Sequence, residues 1–261
     1  MLEAADLERR FGGLRRLYGD AGYARIRAAR FAIVGVGGVG SWCAEALARS
    51  GVAGLTLIDL DHVSESNINR QIQATSATLG QAKVQALRER IHVIHPGCEV
   101  TCIEEFVDES NWPALLSPPP RVDGVIDACD QGCAKLVIAA WALSTRSLLV
   151  IAGAAGGKRQ PHAVQVDDLG LVTHDPLLAS LRQRLRKQHG AARSGKIGVR
   201  CVFSREAVTA PGEVCEIDGS TSAASGDGSL NCHGYGSSVS VTATFGMVAA
   251  SLALESAAAQ K

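Results

Sequence analysis

The segment "RFAIVGVGGVGSWCAEALARSG", residues 30 to 51, constrains the fold more than any other part of the chain. A buried-type strand run over 30–37 breaks into glycines, and helical apolar spacing then runs from 40 to a glycine stop at 51. Strand, tight turn and helix in that order begin a parallel sheet, because a chain returning to a parallel neighbour needs a crossover. The pattern continues: "GLTLID" (54–59) reads as a strand, 80–96 as a helix closed by Pro96, and 98–106 as an alternating strand. A buried strand over 122–129, a helix over 131–145 and a strand over 147–153 follow. With 46% apolar residues in 261, a packed core is well supplied.

The glycine loop itself is "GVGGVG", with Gly35, Gly37, Gly38 and Gly40 between the first strand and the first helix. A backbone without Cβ atoms approaches phosphate oxygens, and the helix N-terminus adds free N–H groups and the positive end of its dipole. Asp59, at the tip of the second strand, stands where a ribose hydroxyl is read. These features predict an α/β fold with a Rossmann-like, mostly parallel sheet covered by helices on both faces over 1–153. An irregular α+β extension over 154–261 is expected to complete one compact unit. It contains a strand over 162–170, then a helix over 175–190 with Asp175 as N-cap, Pro176 at the first position and Gly190 as stop. A Gly/Ser tract over 219–238 is long enough for a flap.

The loop alone leaves NAD and ATP open. The next connection, "DLDHVSESNINRQ" (59–71), carries Asp61, Asn67, Arg70 and Gln71, and the following helix opens near Lys83. An arginine and a lysine facing the glycine loop suit a triphosphate whose reaction builds charge at the α-phosphorus. "VIDACD" adds Asp127 and Asp130 at the carboxyl end of another parallel strand, where an acid can hold Mg²⁺ between phosphate oxygens. Each of these residues alone is more often a cap or a solvated charge; together on one sheet edge they favour ATP.

The stretch from Gly35 through "DLDHVSESNINRQ", "GQAKV" and "VIDACD" resembles the ubiquitin-activating-type adenylating superfamily, which includes the adenylyltransferases of thiamine and molybdopterin biosynthesis. Carried over, the resemblance implies Asp59 at the ribose, with Asp61 beside it on the cofactor side. It implies Asn67, Arg70 and Gln71 at the phosphates, Lys83 at the triphosphate and Asp127 on Mg²⁺, with Arg70, Lys83 and Asp127 as the catalytic set. The Cys-x-x-Cys pairs of members that activate ubiquitin-like tails are missing. The motifs "RFGGLRRLYG", "GAAGGKRQP", "DPLLASLRQRLR", "GVRCVFSREA" and "VTATFGMVAA" resemble instead the family of dehydratases acting on threonylcarbamoyladenosine in tRNA. That likeness implies adenylation of the threonyl carboxylate next to the anticodon, then ring closure with loss of AMP. It also implies a homodimer in which an N-terminal arginine reaches the partner's site; Gly13 occupies its expected place, leaving Arg10 or Arg16.

Lys+Arg and Asp+Glu are both 26, so any nucleic-acid surface must be local. From Pro176 to Arg205 there is no acid, while Arg182, Arg184, Arg186, Lys187, Arg193 and Lys196 accumulate, a pattern suited to RNA phosphates. Lys158 and Arg159 extend this expected surface, and Tyr235 is a candidate for stacking on a base. The eight cysteines contain no zinc-type pairs; Cys201, Cys215 and Cys232 are read as structural, although Arg200 beside Cys201 would favour a thiolate. His162, His174 and His233 have no assigned role as bases. The apolar segment 238–259 is read as a strand or turn followed by a buried helix rather than a membrane span, given its Ser, Thr and Ala content and Glu255. No secretory pattern opens the sequence, so a cytoplasmic protein is expected. A monovalent cation and a docking sulfur-relay protein are left open. The rival readings are an adenylyltransferase for a ubiquitin-like sulfur carrier and, more remotely, an NAD-dependent oxidoreductase.

Overall fold

The computed structural model describes residues 5–117, 121–209 and 235–259. The first part of the Gly/Ser tract, Cys215, Cys232, His233 and the proline run 118–120 lie outside them. Among the described residues seven strands form one sheet in the order β3-β2-β1-β4-β5-β7-β6. They are β1 (Arg30–Val34), β2 (Gly54–Ile58), β3 (Glu99–Ile103), β4 (Gly124–Asp127), β5 (Leu148–Ala152), β6 (Val164–Asp168) and β7 (Arg200–Ser204). Every pairing is parallel except β6 with β7. The described part of the extension is therefore built onto the sheet begun by the first half of the chain: β7 pairs with β5 through Val150↔Arg200 to Ala152↔Val202.

Alternation along the strands feeds two cores. Phe31, Ile33, Leu55, Leu57, Ile126 and Val150 enter one. Ala32, Val34, Ile58, Val125, Leu149 and Ile151 enter the other. Burial on both faces explains why these strands read as continuous apolar runs. Helices α3 (Gly40–Arg49), α4 (Lys83–Ile94) and the terminal helix α7 (Val239–Ala259) cover the first face. Helices α5 (Gly132–Thr145) and α6 (Pro176–Gln188) cover the second. The two N-terminal helices, α1 (Leu7–Phe11) and α2 (Arg15–Ala28), lead into β1, and α2 packs on α7.

Of the two starts expected for the terminal segment, a strand or a turn, the structure has no strand. Helix begins at Val239 without a preceding strand, because Val241 and Thr242 are buried against the rest of the molecule and packing overrides their weak helix propensity. α7 is long and apolar enough to cross a membrane, yet 56% of its apolar window is buried against α3, α2 and β5. It is a core helix. The expected N-cap of α6 is present: the Asp175 carboxylate accepts the Leu178 N–H at 3.0 Å, with Pro176 at the first position.

Candidate active site

Parallel strands end on one edge, and the loops after β1, β2, β4 and β5 surround a single cavity of about 580 Å³ there. Its volume falls in the range of small-molecule and cofactor sites. Gly35, Gly37 and Gly38 line it, as do Asp59, Asp61, Asn67, Arg70, Gln71 and Lys83. Gly40 does not. It opens α3 beneath the loop, where a Cβ would collide with the Gly35 carbonyl oxygen.

The segment 59–71 spends many of its polar groups on its own construction. The Asp59 carboxylate accepts the Val36 N–H at 2.7 Å and the Asp61 N–H at 2.9 Å, tying the tip of β2 to the glycine loop. Burial pushes the Asp59 pKa up, against the field of Lys83 and these two N–H groups. The Asn67 side chain accepts the Ser64 N–H at 3.1 Å, closing a capping box around a short 3₁₀ turn. Arg70 donates to the Ser66 carbonyl at 2.7 Å and to the Asn69 side chain at 2.9 Å, while its own carbonyl accepts the Trp42 indole N–H. Gln71 is buried, its amide oxygen accepting from Gln73 at 3.1 Å. Lys83, also buried, donates to the Asp61 carboxylate at 2.6 Å. A triphosphate in the cavity would compete with Asp61 for that ammonium.

The acid expected to reach the metal lies elsewhere. Asp127 is fully buried at the end of β4 and does not line the cavity. Its Oδ1 accepts from Lys135 Nζ at 3.1 Å, from the Cys129 thiol at 3.0 Å and from the Cys129 N–H at 3.2 Å. Burial opposes a charged Lys135, but the Asp127 carboxylate outweighs it and raises the lysine's pKa. Strand alternation explains the placement: Asp127 turns into the fold, and Asp130, three residues on in the loop, lines the cavity and is exposed. The Asp130 carboxylate has no hydrogen bond or ion pair among the described residues.

Sequence reasoning also missed part of the wall. Phe106, Val107 and Gly153–Gly156 follow β3 and β5, so the rule that ligands bind at the carboxyl ends of parallel strands would have found them. Leu177 at the start of α6, and Ser237 and Thr242 at the start of α7, also line the cavity. No local signal marks those three, because long-range docking brings them there.

The basic segment divides. Arg182 donates to the carbonyls of Leu169 and Val172, Arg184 to that of Gly132 at 2.9 Å, and Arg186 to that of Ala192 at 2.9 Å. These three guanidiniums brace α6 against its neighbours. Lys187, Arg193 and Lys196 are exposed, and their side chains make no hydrogen bond or ion pair among the described residues. Lys158, expected on the same surface, is instead buried. Cys201 is buried in β7, where burial pushes its thiol well above the ordinary range; Arg200, next in the chain, is on the opposite, exposed face. His162 and His174 are exposed, and neither lines the cavity.

A model of the ThiF family matches residues 10–259. The chain belongs to the ThiF family. Within it, the chain is 43% identical over 252 residues to the tRNA threonylcarbamoyladenosine dehydratase of Escherichia coli K12, covering 94% of this chain and 92% of that one. The solved E. coli tRNA N6-threonylcarbamoyladenosine dehydratase in complex with ATP superposes with a TM-score of 0.83 at 39% identity, covering 98% of this chain and 97% of that one. The molybdopterin-synthase adenylyltransferase of E. coli is 34% identical over 134 residues, only 51% of this chain and 52% of that one. The similarity to the dehydratase thus runs through the C-terminal extension, where the adenylyltransferase match covers half the chain.

Proposed function

We infer that this ThiF-family chain is an ATP-dependent tRNA threonylcarbamoyladenosine dehydratase. The observation that carries the reading is an end-to-end likeness to the dehydratase, extension included, around a cavity whose walls suit a nucleotide triphosphate. The NAD reading fits poorly, because Arg70 and Lys83 stand together beside the glycine loop. The sulfur-carrier reading lacks an explanation for the extension.

In this assignment the glycine loop and the α3 N-terminus cradle the phosphates, and the Asp59 carboxylate uses its remaining lone pairs on the ribose. Arg70 and Lys83 stabilise charge as the threonyl carboxylate attacks the α-phosphorus and pyrophosphate leaves. The ureido group then attacks the acyl carbonyl and AMP departs, removing what was a carboxylate oxygen.

A divalent cation fits the donor set. The cavity carries Asp59, Asp61, Glu105 and Asp130 against Arg70 and Lys83, so a polyanionic nucleotide meets excess negative charge unless a cation accompanies it. Among the described residues no three His, Cys, Asp or Glu groups gather to hold a metal alone. Asp130, rather than Asp127, would hold Mg²⁺ together with phosphate oxygens and water. The ion would neutralise phosphate charge.

Lys187, Arg193 and Lys196 form the RNA-facing part of the basic segment, leaving the bracing arginines to position it. The protein acts on tRNA in the cytoplasm as a homodimer. Arg16, exposed and with no side-chain hydrogen bond or ion pair among the described residues, is the N-terminal arginine free to reach a partner, whereas Arg10 holds the Ile94 carbonyl at 2.7 Å.

The test is incubation with ATP, Mg²⁺ and tRNA carrying threonylcarbamoyladenosine. Pyrophosphate release should require the tRNA, and the modified nucleoside should lose the mass of one water. Asp130→Ala should lower release by roughly 10²-fold or more. Release that depends on a ubiquitin-like carrier protein and not on tRNA would overturn the reading.

A further inference from the structure

The loop Gly153–Gly157, after β5, lines the cavity through Gly153, Ala154, Ala155 and Gly156. Along the ligand-binding edge the strands run β2, β1, β4, β5, β7. Asp59 follows β2, the phosphate loop follows β1 and Asp130 follows β4, so the next position, after β5, is the far side of the phosphates from the ribose. The basic helix α6 begins on that same side, with Leu177 in the cavity wall. An acceptor approaching from α6 therefore meets the nucleotide across this loop.

The loop is fixed by buried charge. Lys135 and Lys158 are both fully buried. Lys135 Nζ donates to the Ala152 carbonyl at 2.9 Å, just before the loop. At its other end, Lys158 Nζ donates to the carbonyls of Ser204 at 3.1 Å, Glu206 at 3.2 Å and His174 at 3.4 Å. Burial lowers the Lys158 pKa, while the nearby Asp175 and Glu206 carboxylates oppose that shift. The buried Asp175 accepts the Ala154 N–H at 2.8 Å as well as capping α6, and it sits so close to Gly153 that a Cβ there would collide with its Oδ2. The Glu206 carboxylate accepts the N–H groups of Arg159 and Gln160. Lys158, Asp175 and Glu206 thus pin the loop to the entry of α6 and the exit of β7, while Lys135 holds the strand end before it.

Within this frame two donors are left over. The Gly153 N–H goes to the Val202 carbonyl, Ala154 to Asp175, and Gly157 to the Gly236 carbonyl at 3.0 Å. Ala155 and Gly156 both line the cavity, and their backbone N–H groups have no hydrogen-bond partner among the described residues. Tyr235 lies alongside, its ring 3.4 Å from where a Cβ on Gly157 would stand.

We propose that the backbone N–H groups of Ala155 and Gly156 form the acceptor's oxyanion site, with Lys158 and Asp175 as positioning residues. The proposal rests on the dehydratase reading. In the second step a bond forms from the ureido group to the acyl carbon, and the carbonyl electron pair moves onto oxygen, where these two donors receive it. The pair then returns, the bond from carbon to the AMP oxygen breaks, AMP leaves, and the ureido proton passes to solvent. In the first step the same donors orient the threonyl carboxylate towards the α-phosphorus.

Lys158→Met tests the frame, and α-hydroxy acids placed at 155 or 156 by stop-codon suppression test the donors directly by replacing N–H with oxygen. ATP-analogue affinity, single-turnover pyrophosphate release on modified tRNA, and partition of the adenylate between cyclic product and hydrolysis are measured. Expected are nucleotide affinity within about twofold of wild type, release slower by roughly 10²-fold, and partition shifted towards hydrolysis. Nucleotide affinity lost in parallel with turnover, or release and partition unchanged in the ester variants, would overturn the proposal. Should Lys158→Met fail to fold, the ester variants decide it. A wild-type protein that ignores modified tRNA would instead sink the dehydratase reading itself.

Discussion

The cavity has two glycine-rich walls, Gly35–Gly40 after β1 and Gly153–Gly157 after β5, and they are held in different ways. The first runs straight into a helix, so α3 aligns its donors and the Asp59 carboxylate fastens it to β2 through Val36. The second runs into no α-helix; only a short 3₁₀ turn, Pro161–Ala163, follows it before β6. Its shape depends on Lys135, Lys158, Asp175 and Glu206, which come from α5, the loop itself, the entry to α6 and the exit of β7. Local sequence can specify a wall of the first kind. One of the second kind needs the rest of the fold, since each pinning group is worth its desolvation only with its partners in place.

If the two walls divide the reaction as this difference suggests, the largest separable effect belongs to the nucleotide side. Arg70→Ala should slow pyrophosphate release by about 10²- to 10³-fold while leaving the urea midpoint near that of wild type. A comparable drop in midpoint would mean that Arg70 holds its loop more than it stabilises charge. The joint between the walls should answer in stability. Lys135→Met leaves the Asp127 carboxylate buried without its cation and should cost about 3–5 kcal/mol in urea unfolding, with Asp127→Asn added to it restoring part of the loss. No loss in the single variant would break the claim that buried charge fixes the second wall. The smallest effect is on pH. Burial raises the Asp59 pKa, and protonation removes acceptor capacity, so nucleotide affinity should begin to fall on acidification above the ordinary carboxylate range. Calorimetric titration across neutral to mildly acidic pH checks this, and Asp59→Asn should flatten the profile at weaker affinity.

These walls also mark where the sequence was legible. The glycine loop, Asp59 and the β-α alternation were readable because each is a short-range pattern with a fixed period or spacing. Arg70 and Lys83 line the cavity, and their place on the strand edge is legible from the connection after β2. Asp127 and Asp130 were both seen, but likeness alone carried the metal role to Asp127; which of them faces the cavity follows from strand alternation at the last residue of β4. Charge counting found the basic segment, yet it could not tell that Arg182, Arg184 and Arg186 hold carbonyls or that Lys158 is buried.

Hydrophobic period, glycine placement and capping act within a few residues, so the parallel α/β sheet, the glycine loop at its edge and the helix at 175–190 are legible in the chain itself. Long-range packing sets the rest: the extension joins the same sheet, α7 brings Thr242 to the first glycine loop, and buried lysines frame the second. Those arrangements depend on which distant groups share a low-dielectric interior, and a charge's worth there is set by partners rather than by neighbours in the chain.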